Sequence, residues 1–130
     1  MQISHLDHLV LTVENLEQTV DFYTRALGMR KEVFGGGRVA LRFGAQKINL
    51  HLKGEEFTPH AQSPAPGSAD LCFIADCSIE DIIGSLEQKG VRIELGPVAR
   101  TGAAGAMESV YTRDPDMNLI EIATYRAPDA

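Results

Sequence analysis

The chain repeats itself. The run HLVLTV at 8–13 reads as an apolar strand, and a helical pattern ending at Gly28 follows it. The run DLCFIA at 70–75 reads as a second such strand, followed by a helical pattern ending at Gly90. The offset is 62 residues at both landmarks, and Arg30 and Glu32 match Arg92 and Glu94 at the same offset. Each copy closes on a strand with polar residues among apolar ones, INLHL at 48–52 and LIEI at 119–122. A unit repeated in this way buries its apolar face against its copy. The repeat also brings potential metal ligands to equivalent places.

The length of 130 residues is that of one domain with a real core. A net charge of −6, with no basic stripe, argues against nucleic acid as a partner. No apolar run approaches the ~20 residues that span a bilayer, so no membrane partner is expected. Residues 1–5 lack the basic and apolar regions of a secretory signal. The two cysteines, Cys72 and Cys77, suggest no disulfide, and strand alternation predicts that Cys72 is buried. The expected compartment is the cytoplasm.

Module 1 is expected over about 4–53, a linker over 54–68 and module 2 over about 69–125. In the first module, residues 6–13 read as a strand. Asn15 is a plausible N-cap, and Leu16, Val20, Tyr23 and Leu27 recur at helical spacing. Asp21 and Arg25 form an i,i+4 pair, and Gly28 fits a left-handed C-cap. Strands follow at 29–34, 38–43 and 47–52. The linker holds three prolines and few apolar residues. In the second module a strand at 69–75 precedes a helix capped by Ser78, with Ile79, Ile82, Ile83 and Leu86 as its buried stripe. Residues 91–95 read as a strand, 98–106 as a glycine-rich loop, and 107–112 and 118–124 as strands. Each module is thus β-α-β-β-β, and the fold class is α+β.

Strand parity sorts the chemistry. His8, Val10 and Thr12 share one face, and Leu9, Leu11 and Val13 share the other, which is apolar and suits packing on helices. Asp70 and Cys72 by the repeat, Asn49 and His51, and Glu121 all lie opposite the apolar layer. If the sheets curve toward each other, these groups converge. Their N and O donors suit Zn²⁺, Ni²⁺, Mn²⁺ or Fe²⁺ better than a thiolate-loving ion. Aligning Ile48 with Ile120 pairs Asn49 with Glu121, whereas a slide of two residues pairs His51 with Glu121. Both keep the same face; imidazole is the stronger ligand, so His51 is favoured. Each of these residues also has an ordinary reading as the solvated side of a strand. His5 and His60 read as surface. No serine sits in a nucleophile elbow, and neither glycine run precedes the Lys-Ser/Thr of a phosphate loop.

The opening LDHLVLTV at 6–13, the helix end DFYTRALG at 21–28 and the closing RDPDMNLIEI at 113–122 resemble the vicinal oxygen chelate superfamily. That superfamily includes glyoxalase I, fosfomycin-resistance transferases, methylmalonyl-CoA epimerase, extradiol dioxygenases and bleomycin-binding proteins. The runs KINLH at 47–51 and RTGA at 100–103 look most like a small glyoxalase-domain subgroup that includes virulence-associated proteins. The resemblance implies two modules forming a cup-shaped sheet around a divalent metal, with helices outside. It implies ligands at His8, at Asn49 or His51, at Asp70 and at Glu121. Asp70 stands where His is more usual, Asn49 where Glu or Gln is expected, and Met117 where the turn usually has Gly. Single-domain members usually dimerise, so a homodimer is expected.

The expected function is that of a metal-dependent glyoxalase-like lyase or isomerase acting on a small substrate with vicinal oxygens through an enediolate. Glu121 is the expected general base and a ligand beside His8, His51 and Asp70. Arg100, Ser109 and Tyr111 are candidate substrate contacts, though each is equally an ordinary strand or loop residue. One alternative is a non-catalytic binding protein for a drug or metabolite. Another is a metal-dependent dioxygenase or thiol transferase.

Overall fold

In the computed structural model, which describes residues 1–126, Asn15 starts the first helix by accepting a hydrogen bond from the Gln18 amide at 2.9 Å. Helix α1 (Leu16–Asp21) then widens into a π-helical turn (Phe22–Ala26). Thr24 drives that change. Its hydroxyl donates to the Val20 carbonyl at 2.7 Å, in competition with the backbone ladder. The wider turn rotates the residues after it. Thr19, Phe22, Tyr23 and Ala26 therefore become the buried side, while Leu16, Val20 and Leu27 of the expected stripe are only half-buried. Gly28 closes the segment at φ +71°, and Asp21 and Arg25 pair at 3.4 Å.

The contacts divide the chain into two units, Met1–Ser68 and a second from Ala69 onward. The first holds β1 (His8–Val13), α1 and its π turn, β2 (Arg30–Phe34), β3 (Arg38–Phe43) and β4 (Gln46–Leu52). Its sheet runs in the order β1-β4-β3-β2, with β1 and β4 parallel and the other pairs antiparallel. Leu11, Val13, Leu41, Ile48 and Leu50 share one buried face, as strand alternation requires. Residues 53–69 form no helix or strand.

The second unit holds β5 (Asp70–Ile74), α2 (Ile79–Gln88), β6 (Leu95–Gly102), β7 (Gly105–Arg113) and β8 (Leu119–Tyr125). Its sheet has the matching order β5-β8-β7-β6, again with one parallel pair, β5 and β8. Ser78 caps α2 by accepting from the Asp81 amide at 3.1 Å, and Gly90 follows the helix at φ +71°. Ile79, Ile82 and Leu86 are buried, and α2 packs against β7 and β8. Each unit is β-α-β-β-β, the α+β tandem expected from the repeat.

Two expectations fail in the second unit. Residues 91–94 are not strand, and the glycine-rich run expected to be a loop is most of β6. The glycines serve close approach rather than flexibility. A Cβ on Gly96 would lie 2.6 Å from the Ser109 carbonyl oxygen and 2.9 Å from Val110 Cα. At the other end, Gly102 and Gly105 pair across a two-residue turn, and a Cβ on Gly102 would meet the Tyr125 hydroxyl at 2.7 Å. A register break between Leu95 and Val98 bends the strand.

The turn before β8 carries its own network. Buried Asp114 accepts from the amides of Asp116 at 2.9 Å and Asn118 at 3.0 Å, and from the Asn118 side chain at 2.8 Å. Asn118 in turn accepts from the Ala69 amide at 2.8 Å, which ties the start of β8 to that of β5. Met117 in this turn adopts φ +68°, a left-handed conformation that costs a side chain about 1 kcal/mol or more. Its side chain is exposed, so little packing offsets that cost. Met117→Gly is expected to stabilise the fold by about 0.5–1 kcal/mol after allowing for the freer unfolded glycine. Thermal melting checks this, as a rise of a few degrees.

Candidate functional site

Parallel pairing in the second unit sets Cys72 beside Glu121, and antiparallel pairing sets Tyr111 on the other side of Glu121. Asp70, Cys72, Glu121, Ser109, Tyr111 and Arg113 therefore share one face. Ser109 is fully buried and donates its hydroxyl to Glu121 Oε2 at 2.6 Å. This candidate substrate contact thus holds the Glu121 carboxylate in place. Arg100 reaches across from β6 and donates Nε to the Tyr111 hydroxyl at 2.9 Å. Arg113 forks onto Glu94, with both hydrogen bonds at 3.1 Å. Asp70 is exposed at the start of β5.

Cys72 is exposed rather than buried, because it lies on the polar face with Glu121. Its thiol is nevertheless pushed up to about 11, first by partial burial of the sulfur and then by the Glu121 and Asp70 carboxylates. From the ordinary thiol value of 9.0, that shift leaves about a hundredfold less thiolate at pH 8. Alkylation of Cys72 by iodoacetamide at pH 8 is accordingly expected to be slow, with a rate still climbing toward pH 11. Glu121→Gln removes the second cause and leaves the first, so it should speed the reaction only in part. Peptide mapping of the alkylated protein checks both expectations.

The first unit has the same frame with different residues. Val10 pairs with Asn49 as Cys72 pairs with Glu121, so Asn49 is the counterpart of Glu121. The slide that would match His51 with Glu121 does not occur; His51 corresponds to Ala123. Even so, His51 is 3% exposed, and its Nε2 has no hydrogen-bond partner. Asn49 Oδ1 is likewise buried and without one. Burial first, and then the Arg38 charge, lower the His51 pKa and favour a neutral ring, against the pull of Glu56. His8 stands at the exposed start of β1, and its Nδ1 meets Asp7 Oδ2 at 2.8 Å. A carboxylate on Nδ1 orients the ring and leaves Nε2 as the nitrogen turned away from it.

Within either unit, among the described residues, no three His, Cys, Asp or Glu side chains gather as a metal group. The expected donors are divided, with His8 and His51 in the first unit and Asp70 and Glu121 in the second. Their chemistry suits a borderline divalent ion: a buried imidazole nitrogen without a partner, a carboxylate-oriented histidine and two carboxylates.

The sequence pattern did not single out Arg38, Lys47, Phe34 and Phe57. The Lys47 ammonium lies 3.7 Å from the Phe34 ring centroid. The Arg38 guanidinium lies 5.1 Å from Phe34 and 4.7 Å from Phe57. Phe57 also contacts the His51 ring edge-on, with centroids 5.5 Å apart. Lys47 alternates with Asn49 and His51 along β4, and that spacing was the available signal.

No helix among the described residues is long and apolar enough to cross a membrane. Comparison with known proteins agrees with this architecture. The chain is 53% identical over 126 residues to a glyoxalase domain-containing protein of Mycosarcoma maydis, covering 97% of this chain and 71% of that one. It is 53% identical over 125 residues to a virulence protein of Salmonella typhimurium, covering 96% and 87%. An integron cassette protein from the mobile metagenome of V. cholerae superposes with TM-score 0.95 at 58% identity, covering 97% and 98%. A lactoylglutathione lyase from Agrobacterium tumefaciens shares the fold, with TM-score 0.73 at 23% identity over 95% of each chain. Residues 5–122 match the family model as well, and the chain belongs to the Glyoxalase/Bleomycin resistance protein/Dioxygenase superfamily.

Proposed function

We propose that the chain is a metal-dependent glyoxalase-like lyase or isomerase, acting as a homodimer on a small substrate with vicinal oxygens. The observation that carries this reading is the Ser109–Glu121 hydrogen bond of 2.6 Å. It fixes a carboxylate on the same face as the Arg100–Tyr111 pair. A base acts well when its supporting shell holds it in one geometry. In this reading Glu121 takes the proton from the hydroxyl-bearing carbon of a 2-hydroxycarbonyl unit, and an enediolate forms. Glu121 then returns the proton to the neighbouring carbon while the hydroxyl proton passes to the former carbonyl oxygen, so the product is an isomer with no net gain or loss of atoms. A divalent ion (Ni²⁺, Zn²⁺, Mn²⁺ or Fe²⁺), when bound, supplies Lewis acidity toward the two substrate oxygens. His8, His51 or Asn49, Asp70 and Glu121 are the proposed donors. Arg100 and Tyr111 orient the substrate, and Ser109 positions the base.

The test uses metal-stripped protein and a panel of hemithioacetals and 2-hydroxycarbonyl compounds. Added Ni²⁺ or Zn²⁺ is expected to bind at about one ion per chain in calorimetry. It is also expected to switch on exchange of a substrate C–H with solvent deuterium, read by NMR. Sedimentation of the same preparation should give a dimer at micromolar concentration. Saturable binding of small molecules without metal uptake or exchange would overturn the lyase in favour of a binding protein.

A further inference from the structure

The first unit carries a cationic cluster that the proposed proton transfer does not use. Arg42 on the same face is neutralised by Glu32 at 3.2 Å. Arg38 and Lys47 have no carboxylate at ion-pair distance, although the Lys47 charge reaches Asp7 at longer range. Among the described residues neither forms an ion pair, and both rest on aromatic rings. Arg38 stands over both Phe34 and Phe57, contacts that restrain the guanidinium without using its N–H donors on a carboxylate. Beside it, His51 is 3% exposed and its Nε2 lacks a partner. Glu56 is the carboxylate whose charge reaches His51, and it is engaged by the Gly54 amide at 2.9 Å.

We propose that this face of the first unit is a binding site for a small oxyanion, a carboxylate or phosphate group, held by Arg38 and Lys47 against the Phe34 and Phe57 rings. The guanidinium fork takes two anion oxygens, the ammonium takes a third contact, and the His51 ring supplies a polar wall. Two neighbouring cations on one aromatic ring make a locally basic spot on a chain of net charge −6, and that spot favours an anion against the overall field. Assigning the anion to the substrate rests on the glyoxalase-like reading, and makes that substrate anionic. The anion site itself rests on first-unit residues alone.

The experiment is an amide NMR titration of the metal-free full chain with inorganic phosphate and, separately, glycolate, at ionic strength held constant with sodium chloride. Saturable shifts centred on Phe34, Arg38, Lys47, His51 and Phe57 are expected with at least one probe. Phosphate alone would assign a phosphate ester, and glycolate alone a carboxylate. Arg38→Gln and Lys47→Gln are each expected to weaken binding about tenfold or more, the loss typical of one charge-assisted hydrogen bond. Arg38→Lys should weaken it less. Lys31→Gln, an exposed charge on the opposite face of β2, should leave it unchanged. Glu121→Gln should leave it unchanged too, so failure of the proton-transfer reading is separable from failure of this one. Absence of saturation by both probes at millimolar concentration overturns the proposal. So does equal binding in folded Arg38→Gln and Lys47→Gln proteins.

Discussion

Glu121→Ala is expected to lower turnover by about a hundred- to ten-thousandfold, the range over which a positioned general base acts. It should also sharply weaken Ni²⁺ or Zn²⁺ binding, since it removes a proposed donor. Glu121→Gln keeps the shape and a neutral oxygen, so metal affinity should fall less than turnover does. Ser109→Ala separates positioning from chemistry. It deletes the 2.6 Å hydrogen bond without touching the carboxylate. Its turnover should fall by less than that of Glu121→Ala, with the KM for substrate nearly unchanged. Calorimetry with metal and steady-state rates on the three variants read these outcomes. Wild-type metal affinity and wild-type exchange in Glu121→Ala would remove Glu121 from both roles.

Gly96→Ala is expected to be the most damaging single-methyl change in the second unit. The new Cβ would lie 2.6 Å from the Ser109 carbonyl oxygen and 2.9 Å from Val110 Cα, and both are backbone atoms that cannot rotate away. The residue also sits at φ +120°, where L side chains are strained. Together these predict a loss of about 3 kcal/mol or more. For a chain of this size, that is a fall in Tm of roughly 10 °C. The damage should reach the site, because the strand pushed aside is the one that carries Ser109. Gly36→Ala is the contrast: φ is +79° there, but nothing lies within 4 Å of its Cβ. Its cost should be the backbone term alone, about 1 kcal/mol. Thermal melts of the two variants give the comparison. Equal melting temperatures would show that the close approach of β6 to β7 has no energetic weight.

Much of this architecture is local, and local information is written in the sequence. The 62-residue offset foretold two β-α-β-β-β units, because each copy must build the same elements from the same pattern of caps and stripes. Asn15, Ser78, Gly28 and Gly90 mark helix ends through their own backbone chemistry, and all four sit where that chemistry put them. Strand parity set Glu121, Asn49 and His51 on the polar faces, because alternation needs no knowledge of a partner.

What required the tertiary structure depends on which strand lies beside which, and at what step. Parity is identical for slides of zero and two residues, so only pairing with β1 could make Asn49 the counterpart of Glu121 and set His51 two residues beyond it. The glycine-rich run read as a loop because glycine has weak strand preference. Its residues 98–102 join β6 by pairing with 105–109 of β7, where Gly102 lies close against Met107 and Tyr125. The π-helical turn follows from a hydroxyl of Thr24 competing for one carbonyl, a contact that a 3.6-residue period cannot encode. The Ser109–Glu121 bond joins neighbouring strands, and the seat of Arg38 on Phe57 joins β3 to the linker. Such contacts form only after the chain has closed long loops, and a residue-by-residue reading carries no record of which partner each side chain meets there.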